Sequence, residues 1–144
     1  PLHSNQPQFN LFERHAQEEI IPYCLENNIA VLAYSPLARG LLTGKYDEEV
    51  IFPEGDTRAD DAKFQGQQFR RNLRVIAELK KLARARSKTV AQLAVRWVLD
   101  QPGLTVALWG ARRPGQITEA AGAADWTLSS EELAKIEAIF AETT

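Results

Sequence analysis

The sequence predicts a parallel α/β fold, and three observations favour it. Two apolar runs, 29–34 and 104–109, are continuous rather than alternating, as expected of strands buried on both faces. Helical patterns lie between and after these runs, and each run ends in a glycine-containing turn. Only about three strands are predicted, and so small a parallel sheet would leave open apolar edges. The sequence therefore indicates the C-terminal portion of a larger α/β barrel.

The first elements are a strand, a helix and a second strand. Residues 2–6 weakly predict a short strand, and 13–27 predict a helix. Because proline fits only the first turn of a helix, Pro22 places the regular part of this helix from about Ile20. Its apolar positions on one side are Ile20, Ile21, Cys24 and Leu25. The run 29–34 follows as the second strand.

A polar segment and two helices come next. Residues 47–67 show no clear period, which predicts a long loop of the kind that often serves as a lid or binding loop. Helical spacing of leucine and isoleucine predicts a helix over 69–86. The capping-box pattern at 89–92 opens another helix, which the Gln-Pro-Gly sequence at 101–103 ends.

The last part of the chain predicts a third strand and two more helices. The strand covers 104–109, and a turn follows it, with Pro114 at or near the first position of a helix. A second capping box, at 129–132, begins the final helix, which directs Leu133, Ile136 and Phe140 inward. We expect residues 1–144 to form one incomplete barrel domain.

Composition limits the classes of partner and compartment. The net charge is −2, which does not suggest a nucleic-acid or membrane surface, so local groups must hold any anionic ligand. Cys24 is the only cysteine, so no intramolecular disulfide can form. This fits a reducing compartment and predicts a cytoplasmic protein. The first residues lack the basic and apolar regions of a signal peptide.

Two junctions between strand and loop could bind an anion. The segment 34–45 combines a Ser-Pro turn, two glycines and a lysine, and 110–119 combines a glycine, two arginines and a helix start. In α/β barrels a phosphate site often lies in the loops after the last two strands. Each pattern alone is also compatible with an ordinary turn or a solvated charge pair.

Other chemistries have little support. His3 and His15 lack the spacing of a metal site, and the chain contains no HExxH, CxxC, GxSxG or GxGxxG motif. The acidic runs are typical of solvated surfaces. No metal is therefore expected, and no residue of the chain is assigned a catalytic role.

Five segments in order resemble the C-terminal part of an aldo-keto reductase. They are Asn5–Arg14, Ala33–Leu37, Leu42–Tyr46, Gln92–Leu99 and Gly110–Gln116. The chain resembles the bacterial, potassium-channel-β-like branch of the family more closely than it resembles aldose reductase. The resemblance implies an (α/β)8 TIM barrel that binds NADP(H) and reduces aldehydes or ketones to alcohols by hydride transfer, with this segment forming most of the cofactor cleft.

The resemblance also implies which parts lie elsewhere. The catalytic tetrad of the family (Asp, Tyr, Lys and His) belongs to earlier strands, so Tyr34 and Lys45 are not its tyrosine and lysine. The partners implied are a small carbonyl or alcohol substrate and the upstream part of the same barrel. Two alternatives remain: an NADP(H)-binding regulatory subunit resembling channel β subunits, and an unrelated phosphate-binding TIM-barrel enzyme.

Cofactor roles carried over from the family fall on both junctions. Gln6 would bond the nicotinamide carboxamide, and Tyr34 would stack on the nicotinamide ring. The pyrophosphate group would contact the turn formed by Ser35, Pro36, Leu37, Arg39 and Gly40, with Lys45 and Arg58 on the phosphates. The adenosine end would contact Gly110, Ala111, Arg112, Gln116 and Glu119. Ala120 replaces the usual asparagine beside adenine, and Trp109 replaces a smaller residue.

Overall fold

A computed structural model describes residues 1–143 of the chain. Within that range the strands and α-helices alternate along much of the sequence. In chain order they are β1 (Ser4–Asn5), α1 (Ile20–Glu26), β2 (Ala30–Ala33), α2 (Gly66–Ala85), α3 (Val90–Leu99), β3 (Leu104–Ala107), α4 (Pro114–Ala121) and α5 (Ser130–Thr143). Short 3-10 turns occur at His15–Gln17, Ala38–Thr43 and Ala62–Phe64.

The three strands form a parallel sheet in the order β1–β2–β3. Asn5 pairs with Val31, and Ala33 pairs with Ala107, with an irregularity in register just after Val31. Because the strands are parallel, the turns that follow β2 and β3 leave the sheet at the same edge. The predicted parallel α/β arrangement is confirmed, and this edge brings the two candidate junctions together.

One face of the sheet is covered by helices. Val31 and Ala33 of β2 are fully buried, and α3 packs against β3 while α2 packs against α3 and α5. Trp97 of α3 is 1% exposed and stacks on Phe9, with ring centroids 5.3 Å apart. This packing fixes the strand ends, and hence the turns, relative to the helices.

The predicted starts of α3, α4 and α5 are confirmed. The Thr89 hydroxyl accepts from the Gln92 N–H at 3.2 Å while the Gln92 side chain accepts from the Thr89 N–H at 3.0 Å. The same reciprocal pair joins Ser129 and Glu132 at the start of α5. Pro114 is the first residue of α4. These signals are local, so they act in the fold as they do in the sequence.

The expected burial of the third strand is wrong. β3 ends at Ala107 rather than at residue 109, and Val106 and Leu108 are 38% and 36% exposed. The physical reason is that β3 is an edge strand with a neighbour on one side only. On α1, too, only Ile21 and Cys24 of the predicted apolar side are buried, while Ile20 and Leu25 are exposed.

The segment 47–67 is more ordered than the sequence predicts. It contains the turn Ala62–Phe64, and α2 begins at Gly66, before the predicted residue 69. Aromatic rings organise it: Phe52 and Phe64 lie 5.2 Å apart edge to face, and both also contact Tyr46 edge-on. Aromatic contacts of this kind leave no periodic pattern in a sequence.

Candidate functional site

The two turns and the long loop enclose a cleft of about 1130 Å³ at the carboxyl edge of the sheet. Eleven of the fifteen residues predicted for the site line it. They are Ser35, Pro36, Leu37, Arg39, Gly40, Lys45, Arg58, Gly110, Arg112, Gln116 and Glu119. The structure therefore brings together side chains from two junctions that lie far apart in the sequence.

The turn after β2 has an unusual backbone. Ser35, Arg39 and Gly40 have φ values of 56°, 55° and 91°, all in the left-handed region. Each non-glycine residue in that region costs on the order of 1 kcal/mol, and such costs are concentrated at ligand sites. The Thr43 hydroxyl donates to the Gly40 carbonyl at 2.6 Å and holds the turn closed.

Arg39 connects this turn to the long loop. Its Nη1 donates to the Thr57 carbonyl at 3.3 Å and lies 3.6 Å from the Asp61 carboxylate. The side chain is about half exposed, so the ion pair itself is weak. Its contacts with Thr57 and Asp61 connect the turn after β2 to the long loop beside the cleft.

Arg58 is the most firmly held cation of the cleft. Its Nε donates to Asp56 Oδ1 at 2.8 Å, its Nη2 donates to the other oxygen of that carboxylate, and its Nη1 donates to the Tyr46 hydroxyl. These hydrogen bonds from Arg58 hold the pKa of Asp56 well below its usual range, and the charge of Arg112 adds to the effect. Asp56 and Arg112 both line the cleft.

The turn after β3 is shaped by a side chain predicted to bind cofactor. Gln116 Oε1 accepts from the backbone N–H groups of Arg112 at 2.7 Å and of Arg113 at 3.2 Å. Gln116 thereby caps the start of α4, whose first residue is Pro114. Arg112 and Arg113 both line the cleft.

Glu119 lies further along α4 and is held from α3. Its Oε1 accepts from the Thr89 hydroxyl at 3.0 Å, and its backbone carbonyl accepts from Gln92 Nε2 at 2.9 Å. The same two residues cap α3. One capping box thus also sets where α4 sits.

The cleft is cationic although the chain is weakly acidic overall. Five of its lining residues are basic (Arg39, Lys45, Arg58, Arg112 and Arg113) and two are acidic (Asp56 and Glu119), whereas the net charge of the chain is −2. Within residues 1–143, no ion pair occupies Lys45, Arg112 or Arg113. Unpaired cations beside left-handed backbone suit an extended anionic ligand.

Four predicted residues do not line the cleft. Gln6 follows β1 and is exposed, and Ala111 and Ala120 flank lining residues on the turn and on α4. Tyr34 is 40% exposed at the end of β2, and its hydroxyl donates to Gln8 Oε1 at 3.3 Å. Gln6 and Tyr34 thus lie at the carboxyl ends of β1 and β2, on the same side of the sheet as the cleft, but they do not line it.

Seven lining residues were not predicted. They are Thr43, Gly55, Asp56, Thr57, Leu108, Trp109 and Arg113. The sequence offered a clue to Gly55, Asp56 and Thr57. They form, with Arg58, a short stretch in which a glycine precedes two opposite charges within the long polar loop.

Within residues 1–143 we searched for two other features, a metal site and a membrane-spanning helix. No group of three or more His, Cys, Asp or Glu side chains within residues 1–143 is placed to hold a metal ion. In the same range, each helix is too short or too polar to cross a lipid bilayer.

Comparison with known proteins identifies the family. Residues 1–141 match the sequence model of the Aldo/keto reductase family. This chain belongs to the aldo/keto reductase family. Membership confirms the resemblance seen in the sequence and excludes the alternative of an unrelated phosphate-binding barrel.

Individual family members show how much of a complete protein the chain represents. It is 49% identical to the aldo-keto reductase YhdN of Bacillus subtilis over 144 residues, which is 99% of the chain and 44% of that protein. The solved glycerol dehydrogenase AKR11B4 of Gluconobacter oxydans superposes with a TM-score of 0.94 at 45% identity, covering 98% of the chain and 43% of that structure. The chain therefore spans less than half the length of these aldo/keto reductases.

A third family member was solved with ligands. The aldo/keto reductase of Klebsiella pneumoniae in complex with NADP and acetate superposes with a TM-score of 0.68 at 28% identity. The superposition covers 96% of this chain and 39% of the Klebsiella pneumoniae structure. The predicted fold, a part of an aldo/keto reductase TIM barrel, is confirmed by the superpositions on these two structures together with the three parallel strands.

Proposed function

We propose that the protein carrying this chain is an NADP(H)-dependent oxidoreductase that reduces aldehydes or ketones to alcohols, and that this chain forms most of its cofactor cleft. The observation that carries the proposal is the cationic cleft between the turns that follow β2 and β3. Support comes from the family match and from a related structure solved with NADP. When bound, the nicotinamide cofactor supplies the hydride.

The residues of the cleft fit a dinucleotide phosphate. The curled turn at residues 35–40 can face the pyrophosphate, with Lys45 and Arg58 supplying positive charge. On the opposite wall, Arg112 and the N-terminus of α4 suit the additional phosphate that distinguishes NADPH from NADH. Glu119 lies further along that wall, where the adenine would be.

The nicotinamide end would lie beyond the wall of the cleft, toward the strand ends. Tyr34 presents an exposed ring at the end of β2, suited to stack on the nicotinamide, and Gln6 follows the neighbouring strand. The remaining part of the barrel would bring the substrate and the proton donor to this edge. We further propose a cytoplasmic location, since the one cysteine, Cys24, is free and buried.

The assignment of Arg112 gives the sharpest test. Titration of the whole protein with NADPH should quench tryptophan fluorescence, because Trp109 lines the cleft. Arg112→Ala should raise the Kd of NADPH roughly tenfold or more, through loss of a charged hydrogen bond, and should change the Kd of NADH much less.

Arg70→Ala provides the matched control, since Arg70 is an exposed arginine of α2 outside the cleft. Equal losses for NADPH and NADH would remove Arg112 from the proposed role. Absence of any NADPH binding by the unmodified protein would overturn the cofactor assignment. Aldehyde-dependent oxidation of NADPH distinguishes the enzyme from a regulatory subunit that binds NADP(H) without turnover.

A further inference from the structure

Tyr46 lies where the turn after β2 meets the long loop, yet it does not line the cleft. Its ring packs edge-on against Phe52 and Phe64, with centroid distances of 5.5 and 5.7 Å. Two edge-on contacts leave the ring little freedom to turn. The side chain is thus a fixed point beside the site rather than part of its surface.

Three of the proposed phosphate-binding residues contact this one side chain. Arg58 Nη1 donates to the Tyr46 hydroxyl, and Lys45 Nζ lies 4.9 Å from the centre of its ring. Gly40 approaches so closely that a Cβ there would lie 3.2 Å from the Tyr46 hydroxyl oxygen. Tyr46 therefore contacts Lys45 and Arg58, two of the three basic residues on that wall, and lies against the left-handed turn.

The guanidinium of Arg58 is oriented from three directions. Its Nε and Nη2 donate hydrogen bonds to the Asp56 carboxylate, and its Nη1 donates to the Tyr46 hydroxyl. Its Cζ lies 4.8 Å from the centre of the Phe52 ring. Asp56 alone would leave the guanidinium free to swing with the exposed loop. The bond to Tyr46 ties it to the aromatic cluster, which is packed on the core.

We infer that Tyr46 is a positioning residue for cofactor binding, one that holds Arg58 and Lys45 in place for the phosphates through its hydroxyl and its ring. The inference rests on the proposed function. Since Tyr46 does not face the cleft, its effect on the cofactor must pass through the residues it touches. Preorganised cations bind an anion more tightly than mobile ones because less motion is lost on binding.

Tyr46→Phe in the whole protein tests this role, because it removes the hydroxyl and keeps the ring in its cluster. The Kd of NADPH, measured by tryptophan quenching, should rise about three- to tenfold. The value of kcat at saturating NADPH should not fall, and the thermal midpoint should stay close to that of the unmodified protein. Tyr23→Phe is the matched control, since Tyr23 is an exposed tyrosine on α1.

A double-mutant comparison separates positioning from a general structural effect. In an Arg58→Ala background, Tyr46→Phe should change the Kd of NADPH less than twofold, because the group through which the hydroxyl acts is absent. An unchanged Kd in the single variant, or an equal loss in both backgrounds, would overturn the inference while leaving the proposed function intact. Failure of the unmodified protein to bind NADPH would overturn both.

Discussion

Gly44 illustrates how single residues shape the site. It ends the turn after β2 with a φ of 69°, a backbone conformation that other residues adopt only at a cost. A Cβ at this position would lie 2.9 Å from Val90 Cγ1 and 2.4 Å from Lys80 Cε. Lysine can move aside, but Val90 begins α3 and is 4% exposed. Both backbone and packing therefore require glycine here.

We expect Gly44→Ala to lower the free energy of unfolding of the whole protein by roughly 2 kcal/mol, from left-handed strain and crowding at Val90. Gly55→Ala is the control for strain alone, since Gly55 has a φ of 79° with open space around it. It should cost roughly 1 kcal/mol. Urea denaturation measures both, and a loss at Gly55 equal to that at Gly44 would contradict the packing argument.

At the scale of elements, the end of α2 is joined to the start of α5 by a charged pair. Arg86 donates from Nε and Nη2 to the two oxygens of Glu132, each at 2.6 Å. These bonds, with weaker help from Ser129, lower the pKa of Glu132 from 4.5 to about 2. Glu132 also caps α5, so one carboxylate serves the helix start and the contact between helices.

This pair predicts a pH dependence of stability. A carboxylate whose pKa is lowered by folding stabilises the protein above its unfolded pKa, near 4.5, and the contribution is lost as pH falls toward 2. Glu132→Gln should therefore cost about 1 kcal/mol at pH 7, a value reduced because Arg86 is partly exposed, and little near pH 2.

Denaturant unfolding of the whole protein at several pH values measures this difference. Glu131→Gln is the control, because its pair with Lys135 is solvent-exposed and contributes little to stability. A cost of Glu132→Gln that is the same at pH 7 and pH 2 would refute the ionic origin of the effect.

Features that depend on neighbouring residues were predictable from the sequence, and features that depend on distant contacts were not. The helix starts at Thr89 and Pro114 were predicted correctly because their signals lie within one turn. The exposure of β3 was missed because it depends on which strands lie beside it. The hydrogen bonds from Arg58 to Asp56 and Tyr46 were not predicted, because they form only when the long loop folds.

At the scale of the whole molecule, the two outer strands of the sheet each lack a neighbour on one side. β2 has a neighbour on each side, whereas β1 and β3 each have one. Val106 and Leu108 are partly exposed near one edge, and Ile117 on α4 is 64% exposed. The chain also spans less than half of its relatives. We expect the remaining part of a barrel to cover these apolar surfaces.

We expect residues 1–144 alone not to reduce carbonyl compounds. The family resemblance assigns the proton-donating tetrad to earlier strands, so on the proposed function the chain would contact the cofactor without supplying the acid that the reaction needs. Loss of NADPH absorbance in the presence of an aldehyde measures turnover, with the whole protein as the positive control. Aldehyde-dependent oxidation of NADPH by the isolated chain would contradict this expectation.

The two walls of the cleft come from parts of the chain that a ribosome makes at different times. The wall that contains Arg58 is complete before α2, α3 and β3 have been synthesised, and the wall that contains Arg112 follows them. In the proposed function, each wall would hold a different end of the dinucleotide. On the proposed function, cofactor would therefore stabilise the nascent protein only after α4 has emerged.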